Sequence, residues 1–218
     1  MAEAPTAPST DRRRLRGEQT RQAILTHASR LASAEGLGAV SLQRLATDLG
    51  ISKSGLFAHF GSKEELQLAT VEEAGRTFTR EVLKPGLRPP AGLRRPWAMC
   101  TSYLSYLKRE VFPGGCFFAA AVTEFDSKPG QVRDAVVAGR HYWVESLARA
   151  VREAQAAGEV RADVDSEQLA WELDWILVGA NNRFIVDGGS IVFERARRAL
   201  RDRLERVATK SAARLPNR

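Results

Sequence analysis

The stretch SLQRLATDLGISKSGLFAHFGSK, Ser41 to Lys63, limits what this chain can fold into more than any other. Leu42, Leu45, Ala46 and Leu49 fall at i, i+3, i+4 and i+7, the apolar stripe of a short helix, and Ser41 stands ahead of them as an N-cap. Gly50 supplies the left-handed backbone that a sharp exit needs, Ile51 is a buried plug, and Ser52 is a second N-cap. In the second short helix Leu56 and Phe60 lie four apart on one face. This leaves Lys53, Ser54, Phe57, Ala58 and His59 around its outer sides. Two short helices about a Gly turn, the second one exposed, are the parts of a helix-turn-helix. A cation, a hydroxyl, an aromatic, a methyl and an imidazole are groups that phosphates, base edges and thymine methyls accept. Ser62 then caps a third helix that opens on Glu64 and Glu65 and continues through Leu66, Ala69 and Val71 towards Phe78 and Leu83.

The segment from about Arg16 to Val71 resembles the DNA-binding domain of the tetracycline-repressor (TetR) family of bacterial transcription regulators. The matching pieces are Ser41-Leu42-Gln43-Arg44-Leu45-Ala46, Gly50-Ile51-Ser52-Lys53-Ser54-Gly55-Leu56-Phe57 and His59-Phe60-Gly61-Ser62-Lys63-Glu64-Glu65-Leu66. Many members carry Tyr where this chain has Phe57, so one phosphate-binding hydroxyl is absent. The segment Gly114 to Val136, GGCFFAAAVTEFDSKPGQVRDAV, is similar to the C-terminal domain of one branch of the family. The resemblance implies a small-molecule pocket in that domain and pairing of the last two long helices across a twofold axis.

No stretch asks for a strand, so the fold is expected to be all-α. A three-helix DNA-binding domain comes first, and a helical ligand-binding and dimerisation domain follows. The expected layout is a disordered basic arm over 1–15, the helix-turn-helix domain over 16–62 and a linking helix over 63–84. The effector and dimer domain spans 85–210, and a disordered tail spans 211–218. The first helix is expected over Glu18 to Glu35, from the stripe Ile24, Ala28 and Leu31 and the stop at Gly36. Lys84 to Pro96 holds four prolines and two glycines in thirteen residues and is expected to be a break. Helices are then expected over Trp97 to Phe112, Cys116 to Phe125, from Pro129 to Gly158, Ser166 to Val186 and Ile191 to Ala208.

Net charge is +7, but its distribution says little about DNA. Residues 1–70 carry nine Lys/Arg against seven Asp/Glu, residues 71–187 fifteen against sixteen, and residues 188–218 nine against three. The excess therefore sits at the C-terminus. The local cluster Arg12, Arg13, Arg14, Arg16 and Arg21 has more bearing, as an arm on phosphates or in a minor groove, with a solvated tail as the bland alternative. Residues 1 to about 14 contain no apolar run of the kind a signal peptide requires, and no stretch approaches the ~18 apolar residues of a membrane span, so a cytoplasmic location is expected.

The expected partner is a near-palindromic double-stranded operator. Ser41, Ser52, His59 and Lys63 are the phosphate candidates, and Lys53, Ser54, Phe57 and Ala58 the base-edge candidates. A homodimer through 166–186 and 191–208 is expected, because Trp171, Leu173, Trp175, Ile176, Leu177 and Val178 make one helix apolar on more than one face. Trp97, Tyr103, Phe118, Phe125, Tyr142 and Trp143, with Tyr106 and Phe117, are candidates to line a pocket for a small apolar or aromatic effector. Repression released by that effector is the expected mode; activation, or control by a partner protein or by redox state without a ligand, is the alternative. Cys100 and Cys116 read as buried hydrophobes, with a redox switch as the sharper alternative. His27, His59 and His141 have no metal-ligand spacing, and no motif calls for a cofactor. Ser105-Tyr106-Leu107-Lys108 fits Ser-x-x-Lys, but its partner motifs are absent, as are a phosphate loop and HExxH, so no catalytic residue is assigned.

Overall fold

A computed structural model describes residues 9–216. Among these residues the fold is helical, with an isolated bridge between Val160 and Ala208. The all-α expectation holds. The elements are α1 Ser9–Glu35, a 3-10 turn Leu37–Ala39, α2 Leu42–Leu49, α3 Lys53–Phe57 and α4 Lys63–Phe78. They are followed by α5 Arg94–Lys108, α6 Phe117–Glu124, α7 Gln131–Ala156, α8 Ser166–Asp187 and α9 Ile191–Val207. No described helix is long and apolar enough to cross a membrane.

The head is α1 to α3. Ile24, Leu25 and Ala28 of α1 meet Leu42, Leu45 and Ala46 of α2 and Leu56 and Phe60 around α3, all buried. Helix α4 leaves the head and ends on Phe78, whose ring makes edge contacts with Tyr103, Tyr106, Phe118 and Trp143 at centroid distances of 6.0, 5.8, 6.2 and 5.2 Å. Each such pair adds about 0.5–1.5 kcal/mol beyond its buried area. The head's connecting rod is thereby anchored in the aromatic centre of the body. In the body α7 packs on α4, α6 and α8, and α8 packs on α9.

Several expected boundaries differ. Helix α1 begins at Ser9, nine residues before Glu18, so Arg12, Arg14 and Arg16 lie on an exposed helix and not in an extended arm. Ser9, Thr10 and Asp11 suit a helix start, and only Gly17 interrupts good helix formers before the apolar stripe begins. Residues 1–8 of the expected arm lie outside the described residues. The break at Lys84 to Pro96 is shorter than expected. After α4 the backbone widens into a π turn over Thr79–Leu83 and stays helical through Gly86, and Pro96 sits inside the first turn of α5. A π turn shifts the pairing pattern just before Pro85, which has no N–H to give. Helix α5 stops at Lys108, four residues before Phe112, and α7 starts at Gln131 behind Gly130. Helix α8 does open at Ser166, with Asp165 as its cap, accepting from the N–H groups of Glu167 and Gln168.

The tail departs most from expectation. Residues 208–216 fold back on the body: the Thr209 N–H donates to the Glu159 carbonyl at 3.0 Å, the Arg94 side chain donates to the Arg214 carbonyl at 3.2 Å, and Leu215 is buried. Residues 217–218 lie outside the described residues.

Candidate nucleic-acid interface and effector cavity

The helix-turn-helix is built by its caps. Ser41 Oγ accepts the Arg44 N–H at 3.2 Å, Gly50 turns the chain at φ 63°, and Ser52 Oγ accepts the Gly55 N–H at 3.1 Å. Each cap hydroxyl uses an oxygen lone pair and keeps a proton to donate; Ser52 Oγ also lies 3.3 Å from Ser54 Oγ, so one proton of that pair is shared between them. Leu56 and Phe60 anchor α3 inwardly, and Arg21 of α1 lies over the Phe60 ring at 4.9 Å. Lys53, Ser54, Phe57 and Ala58 consequently face solvent, with the Phe57 ring 46% exposed, and His59 is half-buried beside Phe60. Lys63 is exposed but occupied: its Nζ donates to the Gly38 carbonyl at 2.8 Å, tying α4 to the turn that precedes Ser41. Two of its N–H groups remain for a phosphate.

A charged frame holds α1 to α2. Arg44 spans the Glu35 and Asp48 carboxylates, and the His27 ring donates to Asp48 at 3.0 Å. The His27 hydrogen bond, followed by Arg44, holds the Asp48 carboxyl below its usual range. Arg44 is therefore committed to the head and is not a free cation for DNA.

In the body, a cavity of ≈ 10 Å³, room for about one water, lies between α4, α5, α6 and α7. It unites three of the eight expected pocket residues, Tyr103, Phe118 and Trp143, with Phe78, Cys116, Gly139 and Arg140. The other five do not line it, and of these Tyr106 and Phe117 are buried in the core. Trp97 is buried under the guanidinium of Arg201 at 4.8 Å, Phe125 lies under Lys128 at 4.9 Å, and Tyr142 is 59% exposed. Large apolar side chains on neighbouring turns point to different neighbours, and sequence spacing alone did not separate them.

One wall of the cavity is polar. Arg140 makes a two-point ion pair with buried Asp174, which also accepts the Trp143 indole N–H at 2.9 Å. The signal that could have found them is local: Gly139, Arg140 and Trp143 share one helix face, and Asp174 is a lone acid between Leu173 and Trp175. The Cys116 N–H donates to Asn181 Oδ1 at 2.8 Å, and the buried Tyr106 hydroxyl has no hydrogen-bond partner among the described residues. Burial pushes the Cys100 and Cys116 thiols up, and so both stay protonated at neutral pH.

Helices α8 and α9 divide their apolar residues between two faces. Leu173 and Leu177 are fully buried inward, whereas Trp171 and Trp175 meet edge to face at 5.9 Å on the outside, about half exposed, and Ile185, Val186 and Ile191 are also exposed. Two open grooves of ≈ 600 and ≈ 460 Å³ run along this face and meet at Ile176 and Ala199.

Comparison with known proteins gives this architecture its place. Residues 24–70 match the family model described as bacterial regulatory proteins, tetR family, and residues 92–200 match the tetracyclin repressor-like C-terminal domain. The chain belongs to the TetR family. Among TetR-family relatives, the transcriptional regulator AcuR of Cereibacter sphaeroides is 29% identical over 183 residues, which cover 79% of this chain and 81% of AcuR. A TetR transcriptional regulator from Chloroflexus aurantiacus superimposes with a TM-score of 0.82 at 24% identity, covering 88% of this chain and 98% of its own. AibR, solved in complex with isovaleryl coenzyme A and operator DNA, superimposes with a TM-score of 0.66 at 23% identity, covering 83% and 95%. The two family models, one over the head and one over the body, make this chain a transcriptional regulator of the TetR type.

Proposed function

We propose that the chain works in the cytoplasm as a homodimeric repressor that reads a near-palindromic operator and releases it when a small effector opens the body cavity. The observation that carries this is the solvent-facing set Lys53, Ser54, Phe57 and Ala58 on a helix fixed from behind by Leu56 and Phe60. One five-residue helix covers few base pairs, so a second copy is needed to specify a site. The exposed Trp171 and Trp175 face supplies the surface for pairing. Two heads related by a twofold then meet half-sites about 34 Å apart, or a multiple of that, along the duplex.

Ser52, Ser54 and Lys53 stand at the base and phosphate edge of α3, and Ser41 and Lys63 flank the turn before α2. AibR's complex with a thioester and with DNA supports one chain serving both ligands in this fold. In this chain the effector is a small molecule with an aromatic or apolar body and a hydrogen-bonding end, since Phe78, Tyr103, Phe118 and Trp143 surround the cavity and Arg140 closes it. Arg140 is neutralised by Asp174, which disfavours a simple anion.

The small volume of the cavity favours a second reading, in which the dimer binds DNA without any ligand under control of a partner protein. Thermal-shift screening of aromatic and apolar metabolites, followed by DNA release with each hit, decides between them. One compound that both stabilises the protein and frees the operator supports the effector reading, and a screen with no stabilising compound supports the second.

A further inference from the structure

We propose that Glu124, at the end of the cavity helix α6, is the positioning residue that fixes the DNA-reading head to the body and carries cavity movement to it. Both of its carboxylate oxygens reach across to the 3-10 turn between α1 and α2: Oε2 accepts the Leu37 N–H at 2.6 Å and Oε1 accepts the Gly38 N–H at 2.8 Å. The backbone is shaped to admit it. Gly36 stands at φ 92°, and a Cβ there would lie 2.9 Å from Glu124 Oε2, while one on Gly38 would lie 2.5 Å from Oε1. The opposite side of the same turn is held from α4, where the buried Gln67 amide donates to the Leu37 carbonyl at 3.0 Å and Lys63 donates to the Gly38 carbonyl at 2.8 Å. One three-residue turn is therefore gripped on its N–H side by the body and on its carbonyl side by the connecting rod, two residues before Ser41 opens α2.

Helix α6 also touches the cavity. Phe118 and Ala119 line it, six and five residues upstream of Glu124 on a single eight-residue helix. The Phe118 ring is wedged between α4 and α7: a Cβ on Gly75 would lie 3.9 Å from it and one on Gly139 only 2.3 Å. A molecule that enlarges the cavity on its α6 side displaces Phe118. An intact short helix transmits that displacement to its last residue as a rigid shift, and a carboxylate bonded at 2.6 and 2.8 Å has little slack to absorb it. The link rests on the cavity being the effector site; the clamp itself does not.

Amide hydrogen exchange of the DNA-free protein tests both halves, so neither depends on finding the operator. Glu124→Gln keeps the size of the side chain but presents an NH₂ to one of the two amides. Exchange at Leu37 and Gly38 is expected to rise about tenfold with Leu173 and Leu177 unchanged. Unchanged exchange at the turn overturns the clamp. Gly139→Ala pushes on Phe118 from α7, and Ala119→Leu fills the cavity from α6; at least one is expected to speed exchange at the same two amides. If both fold and neither does, the link is overturned. In DNA titrations Glu124→Gln is expected to weaken the selected operator about tenfold while leaving random duplex unaffected, a split that a merely destabilised head does not produce. Equal losses on both DNAs overturn the positioning role.

Discussion

Replacing Trp175 with Ala tests the proposed dimer separately from the fold. Its side chain is about half exposed and meets Trp171, which is also half exposed, edge to face, so its outer half lies outside the monomer core. A Trp side chain carries 150–250 Å² of surface, so pairing covers roughly 100 Å² more of it. At about 25 cal/mol per Å² this is about 2.5 kcal/mol, and a twofold interface counts it twice, giving about 5 kcal/mol per dimer. Since 1.4 kcal/mol is tenfold, the dimer Kd should rise by about 4,000-fold, and at least about a hundredfold after allowing for surface that Ala still buries. Sedimentation equilibrium of wild type and variant across a concentration series measures this, with far-UV circular dichroism to show that the monomer keeps its helices. A Kd within threefold of wild type would refute the placement of the interface on α8 and α9.

Three other outcomes are expected. Lys53→Ala should weaken binding and change base preference, whereas Lys63→Ala should weaken all sequences alike and shallow the salt slope. It should also cost about 1 kcal/mol of stability, because Lys63 holds the Gly38 carbonyl; titrations at several salt concentrations and thermal unfolding check both. Asp174→Leu leaves Arg140 and the Trp143 N–H without their partner and should cost about 3–5 kcal/mol in urea unfolding, most of it recovered in the Arg140→Leu, Asp174→Leu double variant; additive losses would refute the pairing. The Asp48 carboxyl is held low first by His27, and the Glu172 carboxyl first by Arg203. Their stabilising effect is therefore complete above the unfolded carboxylate range and lost as pH falls below about 4, and Asp48→Asn should flatten that acid limb of the stability curve.

The head was legible because its signals are local. Ser41, Gly50 and Ser52 are caps whose chemistry acts within four residues, and each does in the structure what its position predicts. Helix α1 was misjudged at its start because residues 9–20 carry no apolar stripe for periodicity to find, although nothing in them stops a helix. The docked tail was illegible because the sites that hold it, Glu159 and Arg94, are 50 to 120 residues away in sequence. The cavity was half legible: aromatic content located it in the body, but the choice of Tyr103, Phe118 and Trp143 over Trp97, Phe125 and Tyr142 depends on how the helices cross. The Arg140 and Asp174 pair spans 34 residues and two helices, and the Glu124 clamp joins a body helix to a head turn 87 and 86 residues away. Within single elements the sequence offers only the polar residues Arg140 and Asp174 on otherwise apolar faces, without saying that they pair, and nothing within α6 marks the clamp.

Selection of bound fragments from randomised duplex DNA by the purified protein, followed by sequencing, addresses dimeric operator reading most directly. A two-fold-symmetric motif with half-site centres about one helical turn or a multiple of it apart is the predicted result. A motif without symmetry, or no enrichment by protein shown to be folded and dimeric, would contradict it.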